Sequence, residues 1–478
     1  MHGRLGAGIW LAVGAMMRVV RVGVVVAVLA GGAAVASPAA GWAAGSRPAV
    51  AGASRAGGVR PVAGRPGAST PGTRLWVGRY SAPGASDDRP SDLAVSPSGS
   101  TVYVTGSTEY PDATGSMPVS YFGTVAYDAV TGKRLWVQRF LGPGNAAFGN
   151  AVAVSPDGSE VFVTGQAAGD IATVAYNATT GHYLWSRLYK DPVASVEANA
   201  VTVSPDGSEV FVAGGGSPDL DTVAYNAVTG ALSWARRIPG NAADGVVASP
   251  DGSMVYAASG SGGGTSAFTT VAYSAATGHE RWISSYPGPA YPTVCSLAGS
   301  PDGTKVFTAC DAVGARYLTL GYDAATGKQL WHATYQHDSY PTVPNDVAAS
   351  DSQVFVTGES NEHMATVAYN SGTGSQQWAS LYPRPGNTNG NGTSIVISPD
   401  GSTVYAGGGA NSSFAIVAFD QATGARQWAR QWFGVGGGSA AAIAVSPSGD
   451  SVFATGVTGL PAGNDSFSTA YGTVAYKS

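Results

Sequence analysis

Oxygen-bearing side chains recur at one register of this sequence. Five residues before the Ser that opens each tight turn stand Ser91, Asn150, Asn199, Asp244, Cys295, Asn345, Thr393 and Ala441, with Asp92 and Asp346 one residue further on. Carboxylates and amide carbonyls that converge suit Ca²⁺, a hard cation that takes roughly six to eight oxygen ligands. Asp92, Asp244 and Asp346 are the candidate calcium carboxylates, and Asn150, Asn199 and Asn345 extend them into a candidate ring for an ion or ligand. The plainer reading is that these side chains bond neighbouring loop backbone, as Asn and Asp commonly do.

Two further features could carry chemistry. Tyr291-Pro292-Thr293-Val294 and Tyr340-Pro341-Thr342-Val343 are near copies, and a pair of exposed Tyr rings can stack on a sugar or cofactor ring. Repetition alone would also produce such copies. Cys295 and Cys310 flank the turn at Pro301 to Gly303 almost symmetrically, so an antiparallel hairpin brings them nearly opposite. A disulfide is the expectation in an exported protein, with two buried thiols as the alternative. Neither state makes a nucleophile, because no His/Asn pattern accompanies the cysteines. His182, His279, His332, His337 and His363 are scattered, and the chain has no HExxH, nucleophile elbow, P-loop or dinucleotide fingerprint.

The elements that must position these residues repeat. From residue 74 onward one unit recurs: an apolar strand, a Ser-Pro-Asp-Gly turn, a second strand, a loop, a Thr-Val-Ala-Tyr strand, a Thr-Gly turn and a Trp-bearing strand. The Thr of the Thr-Gly turn falls at Thr131, Thr180, Thr229, Thr277, Thr326, Thr373 and Thr423, a period of 47 to 50 residues. β-Branched and aromatic runs such as Thr101 to Thr105 and Thr124 to Tyr127 favour strands. Pro presets φ in the first turn and Gly takes the left-handed position, which makes tight hairpins. Four short antiparallel strands make a propeller blade. First strands number eight and third strands eight, but the first of the eight Trp strands, around Trp76, precedes every blade. Pairing Arg74 to Tyr80 with the C-terminal three strands closes an all-β, eight-bladed ring without open edges. The sixth turn, Ser350-Asp351-Ser352, lacks Pro and Gly and predicts a shorter hairpin.

This topology gathers the tight turns on one face and the variable loops on the other. The two longest loops, Ser107 to Phe122 and Val457 to Tyr471, belong to the first and last blades, which closure makes neighbours. They predict a raised lip on the loop face, either functional or a pair of tolerated insertions. First strands line the central axis, with the oxygen-bearing ring at its loop-face mouth.

Charge narrows the partners. The net charge is -5, but residues 1–73 hold seven Arg and no acid, so the remainder carries -12. A body that acidic, without a basic cluster, repels phosphate backbones, which excludes nucleic acid as the expected partner. Arg4, Arg18 and Arg21 precede an apolar stretch from Val22 to Ala36 that ends in Ala34-Val35-Ala36. This is the layout of a secretory signal peptide, and the run is short for a stable membrane span unless the segment stays uncleaved as an anchor. The organisation expected is a signal peptide at 1–36, an Ala/Gly/Pro/Arg-rich linker at 37–73 and a propeller at 74–478, secreted or extracellular and monomeric.

The units Tyr127-Asp128-Ala129-Val130-Thr131-Gly132-Lys133-Arg134-Leu135-Trp136 and Tyr322 to Trp331 resemble the tryptophan-docking repeats of quinoprotein-like propellers. The Ser-Pro-Asp-Gly plus Val-Tyr-Val-Thr-Gly half resembles the hairpin repeat of YVTN and lactonase-like exported proteins. The first resemblance implies pyrroloquinoline quinone and calcium at the channel mouth, where Asp92, Asp244 or Asp346 of the ring would be the candidate ligand or base, although no residue here matches the family's own base or quinone ligands. Quinoprotein alcohol dehydrogenases carry adjacent cysteines, however, and here the two are fifteen positions apart. The leading expectation is therefore a non-catalytic binding or scaffold module that meets an extracellular protein, glycan or small molecule through its loop face. A quinoprotein-like oxidoreductase is the alternative, and a lactonase-type hydrolase the third.

Overall fold

The computed structural model describes residues 70–84, 87–111, 119–192, 195–216, 218–261, 266–289, 293–312, 314, 316–337, 342–382, 390–459 and 469–478. These residues form eight four-stranded antiparallel sheets and no helix. Seven sheets run in chain order: blades 1 (residues 87–140), 2 (147–189), 3 (197–239), 4 (243–287), 5 (295–335), 6 (342–382) and 7 (391–432). Blade 8 (435–477) takes Arg74–Tyr80 as its outer strand, paired from Arg74↔Tyr476 to Tyr80↔Tyr471. The first strands of successive blades touch around the axis, Asp87–Val95 of blade 1 meeting Val435–Val445 of blade 8. The eight-bladed ring and its closure by the N-terminal strand are as the strand count predicts.

Strand sequences follow from where each strand sits. The second strand of blade 1, Thr101–Tyr110, is buried almost without interruption, because neighbouring blades cover both of its faces. It therefore reads as a continuous β-branched and aromatic run and not as an alternation. The outer strand Arg134–Phe140 has solvent on one side and buries Trp136 alone.

That Trp is the chief blade-to-blade contact. The Trp136 indole donates to Ala178 O at 3.0 Å in the Thr-Gly turn of blade 2, and Trp185, Trp234 and Trp282 repeat the bond one blade further round each time. The turn glycine needs its identity twice over. Gly181 has φ +70°, and a Cβ there would stand 2.6 Å from the Trp136 ring. Three arginines two residues past the Trp strengthen the clamp, as Arg187 shows by donating to Gly230 O at 2.7 Å and Thr229 O at 2.9 Å. Blade 8 has no continuous turn, so the Trp428 indole N–H lacks a partner among the described residues; Arg430 compensates by donating to Gly72 O at 2.8 Å.

The tight turns form a second ring. In blade 2, Asp157 Oδ1 accepts from Ser155 Oγ at 2.6 Å and Ser159 N at 3.0 Å, and these bonds hold its carboxyl below the usual range. Pro97 of blade 1 lies 3.5 Å from where a Gly158 Cβ would stand, and Pro156, Pro205 and Pro250 repeat the contact with the next turn. The blade 6 hairpin closes with Ser350 N to Gln353 O, two residues tighter than Ser300 N to Lys305 O in blade 5, as its missing Pro and Gly predict.

Candidate functional site

The oxygen-bearing register coincides with a structural irregularity. In seven blades the pairing of the first two strands slips by one residue, and the residue skipped is Ser91, Asn150, Asn199, Asp244, Asn345, Thr393 or Ala441. Each is a β-bulge, whose extra residue leaves the ladder and turns its side chain aside. Blade 5 has no bulge, and there Cys295 pairs directly with Cys310.

The bulge side chains tie blades together. Asn150 Nδ2 donates to Ala198 O at 2.9 Å, Asn199 Nδ2 to Ala243 O at 3.0 Å, Asn345 Nδ2 to Gly392 O at 2.7 Å and Thr393 Oγ1 to Ala440 O at 3.1 Å. Every acceptor is the carbonyl just before the next blade's bulge. One residue past the bulge the polarity reverses. Asp92 Oδ2 accepts from Val152 N at 3.0 Å and Asp346 Oδ2 from Ile395 N at 2.9 Å, each N–H two residues beyond the next bulge. Asp346 is fully buried and also accepts from Ser296 Oγ of blade 5 at 2.9 Å, so one carboxylate joins three blades. Asn and Thr stand where a donor is needed, and Asp where an acceptor is needed.

Asp244 sits between these patterns because the blade after it has no bulge. Its Oδ2 accepts from Gly260 N at 3.0 Å and from Cys295 N at 2.9 Å. Burial nonetheless pushes its carboxyl up to about 7 against the pull of those bonds, with the Glu197 charge adding to the rise. The disulfide Cys295–Cys310 lies beside it, spanning a directly opposite strand pair with Cα atoms 4.4 Å apart. It closes a fifteen-residue loop, for which chain entropy gives about 3 kcal/mol. Reduction, or the Cys295→Ser/Cys310→Ser double variant, is expected to lower the stability by about 2–4 kcal/mol in equilibrium denaturation; unchanged stability would show that the bridge adds nothing.

On the loop face the bases of the two long loops meet. Tyr471 OH, near the end of the blade 8 loop, lies 3.2 Å from Ser107 O and 3.3 Å from Gly123 O of blade 1, and Asp88 N donates to Thr469 Oγ1 at 2.9 Å. Residues 112–118 and 460–468, at the centres of those loops, lie outside the described residues, as do Tyr291 and Tyr340. Beneath the junction Asp88 is fully buried, accepts Ala82 N at 3.0 Å and is pushed up by burial.

Blade 3 buries a further carboxyl outside the ring register. Asp221 is fully buried and raised to about 6, first by burial and then by the Asp191 charge. Arg237 holds Asp191 at 3.2 Å and also pairs with Asp219. The signal was present: just before the Thr of the third strand other blades carry Gly123, Ala172, Ala365 or Gly472, and blade 3 carries Asp221.

The family model described as outer membrane protein assembly factor BamB matches residues 68–293 and 221–455. The chain belongs to this BamB-like family of propellers with pyrroloquinoline-quinone-like repeats. No curated protein matches the chain significantly. Among solved structures, the Dos1 propeller aligns with a TM-score of 0.57 at 10% identity, covering 85% of this chain and 94% of that one. Kuenenia stuttgartiensis hydrazine synthase aligns at 0.48 and 15% identity, covering 76% and 92%. The Dos1 likeness speaks to fold alone.

Quinoprotein-like repeats imply a quinone and a calcium ion, so the ring can be tested for fit. The quinone is a tricarboxylate, and none of the eight ring positions is Lys or Arg. The ring carboxylates accept backbone N–H groups, and among the described residues no three His, Cys, Asp or Glu side chains are grouped as a metal set. The eight ring positions therefore do not fit the quinone.

Proposed function

We propose that the protein is an exported β-propeller acting as a non-catalytic binding or scaffold module, with its variable-loop face as the contact surface. The observation that carries this reading is the division of labour between the axis and the rim of the loop face. Side chains that could have gathered a ligand at the axis bond the next blade instead, while the two longest loops belong to adjacent blades and their described bases are pinned together. Rigid scaffold with convergent variable loops is the usual build of a recognition surface. The family description, an assembly factor, accords with a protein that works by contact. The Arg-apolar-Ala-x-Ala N-terminus supports export, and the disulfide is compatible with an oxidising compartment.

The test uses peptides selected from a random display library on the full chain. Replacing residues 112–118 and 460–468 with short Gly/Ser turns is expected to leave thermal unfolding unchanged and abolish binding of those peptides. Peptides that bind the trimmed protein equally well would overturn the loop-face reading.

A further inference from the structure

Around the loop-face rim of blades 7, 8 and 1, exposed guanidinium groups lie on aromatic rings. Arg79, near the loop-face end of the outer strand of blade 8, sits 5.5 Å from the Trp432 ring centroid, with Phe433 beside it 62% exposed. On the other side of that strand Arg139 of blade 1 sits 5.7 Å from the Tyr110 ring and donates to its hydroxyl. Tyr110 packs edge-on against Tyr121 at 5.3 Å, and these two flank the long loop of blade 1. Arg79 and Arg139 are exposed and form no ion pair among the described residues, whereas the nearby Arg89 is already matched by Asp87 at 2.6 Å.

Arg held by an aromatic side chain is pre-organised: the Trp432 ring restricts the planar fork of Arg79, and the bond to the Tyr110 hydroxyl fixes that of Arg139 while its remaining N–H groups stay open to a ligand. The ligand that fork fits is a carboxylate, bound through paired N–H···O bonds. Arg, Tyr and Trp are also the side chains most enriched among residues that dominate protein interfaces. Overall charge selects between anionic partners. The chain after residue 73 carries -12, so a dense polyanion is repelled at long range, while a polypeptide with a few carboxylates between apolar residues meets both the arginines and Phe433.

We propose that this rim binds an acidic, partly apolar polypeptide segment, with Arg79 and Arg139 taking its carboxylates and Phe433 and Tyr121 its apolar side chains. The proposal rests on the loop-face reading and names its partner chemistry.

The same display library tests it on the full chain, with heparin as a separate polyanion probe. Selected peptides should be enriched in Asp and Glu and lose affinity as salt rises. Arg79→Gln and Arg139→Gln should each weaken them about tenfold with unchanged thermal unfolding, since both side chains are exposed. Peptides that need the long loops but are neither acidic nor sensitive to the arginines would overturn this proposal and leave the loop-face reading standing. Peptides indifferent to the loops would remove both, and saturable heparin binding that displaces the peptides would reassign the rim to an anionic glycan.

Discussion

Asp244→Asn is expected to stabilise the protein at neutral and alkaline pH and to leave it nearly unchanged near pH 4. In the folded chain burial holds this carboxyl at about 7, against an ordinary value of 3.8. A carboxyl raised on folding binds more protons in the native than in the unfolded state. Its favourable neutral form is fully present below the unfolded value and is lost as pH rises through the folded one. Three units correspond to about 4 kcal/mol lost between roughly pH 4 and pH 7. Asn can accept the same two N–H groups, from Gly260 and Cys295, without the buried charge. Denaturant unfolding of both proteins from acid to alkaline pH checks this, and taking the difference removes the contribution of Asp221, which has the same sign. Parallel curves would sink the argument. Adding Ca²⁺ extends the test, because an ion bound at Asp244 would hold the carboxylate ionised and stabilise only the wild type.

Why the fold was so legible, and the ring only half so, comes down to locality. Each turn carries its own instructions: Asp128 Oδ1 accepts Thr131 N at 2.8 Å within three residues, and Gly132 supplies φ +69°. Seven copies of this turn and eight of the turn after each first strand make strand count and closure a matter of arithmetic. The ring needed information from a neighbour. Spacing placed Asn150 and Asp346 at the mouth, but whether a side chain there donates or accepts depends on which backbone group the next blade turns towards it. That group is set by a bulge some fifty residues away in sequence. Asp221 shows in the sequence only as a departure from the small residue that most other blades carry before the third-strand Thr, and Asp88 has no such register mark, because no repeat predicts a buried carboxyl. Arg79 and Arg139 looked like ordinary surface charges until folding laid them against Trp432 and Tyr110.

Closure itself offers the sharpest mutational contrast. Trp76 makes the same contact as the other docking tryptophans, donating to Ala129 O at 2.8 Å and stacking near Tyr127 and Phe453. Trp76→Ala and Trp234→Ala should therefore both cost about 3–5 kcal/mol of packing and hydrogen bonding. Their consequences diverge because of connectivity. The outer strand around Trp234 is covalently joined to the rest of blade 3, so a weakened dock leaves four strands in register. Arg74–Tyr80 reaches blade 8 from the opposite end of the chain, and without Trp76 it is retained by its ladder to Thr469–Lys477, the clamp from Arg430 and the contacts of Arg79 with Trp432 and Tyr80 with Tyr471, with no covalent turn to hold its register. Its loss exposes the edge of Thr469–Lys477 to solvent and to other chains. Hydrogen exchange within Thr469–Lys477 should thus accelerate in Trp76→Ala and not in Trp234→Ala, together with concentration-dependent association. Equal protection of that strand in both variants would show that closure rests on the backbone ladder, and that the N-terminal Trp only fills space between blades 8 and 1.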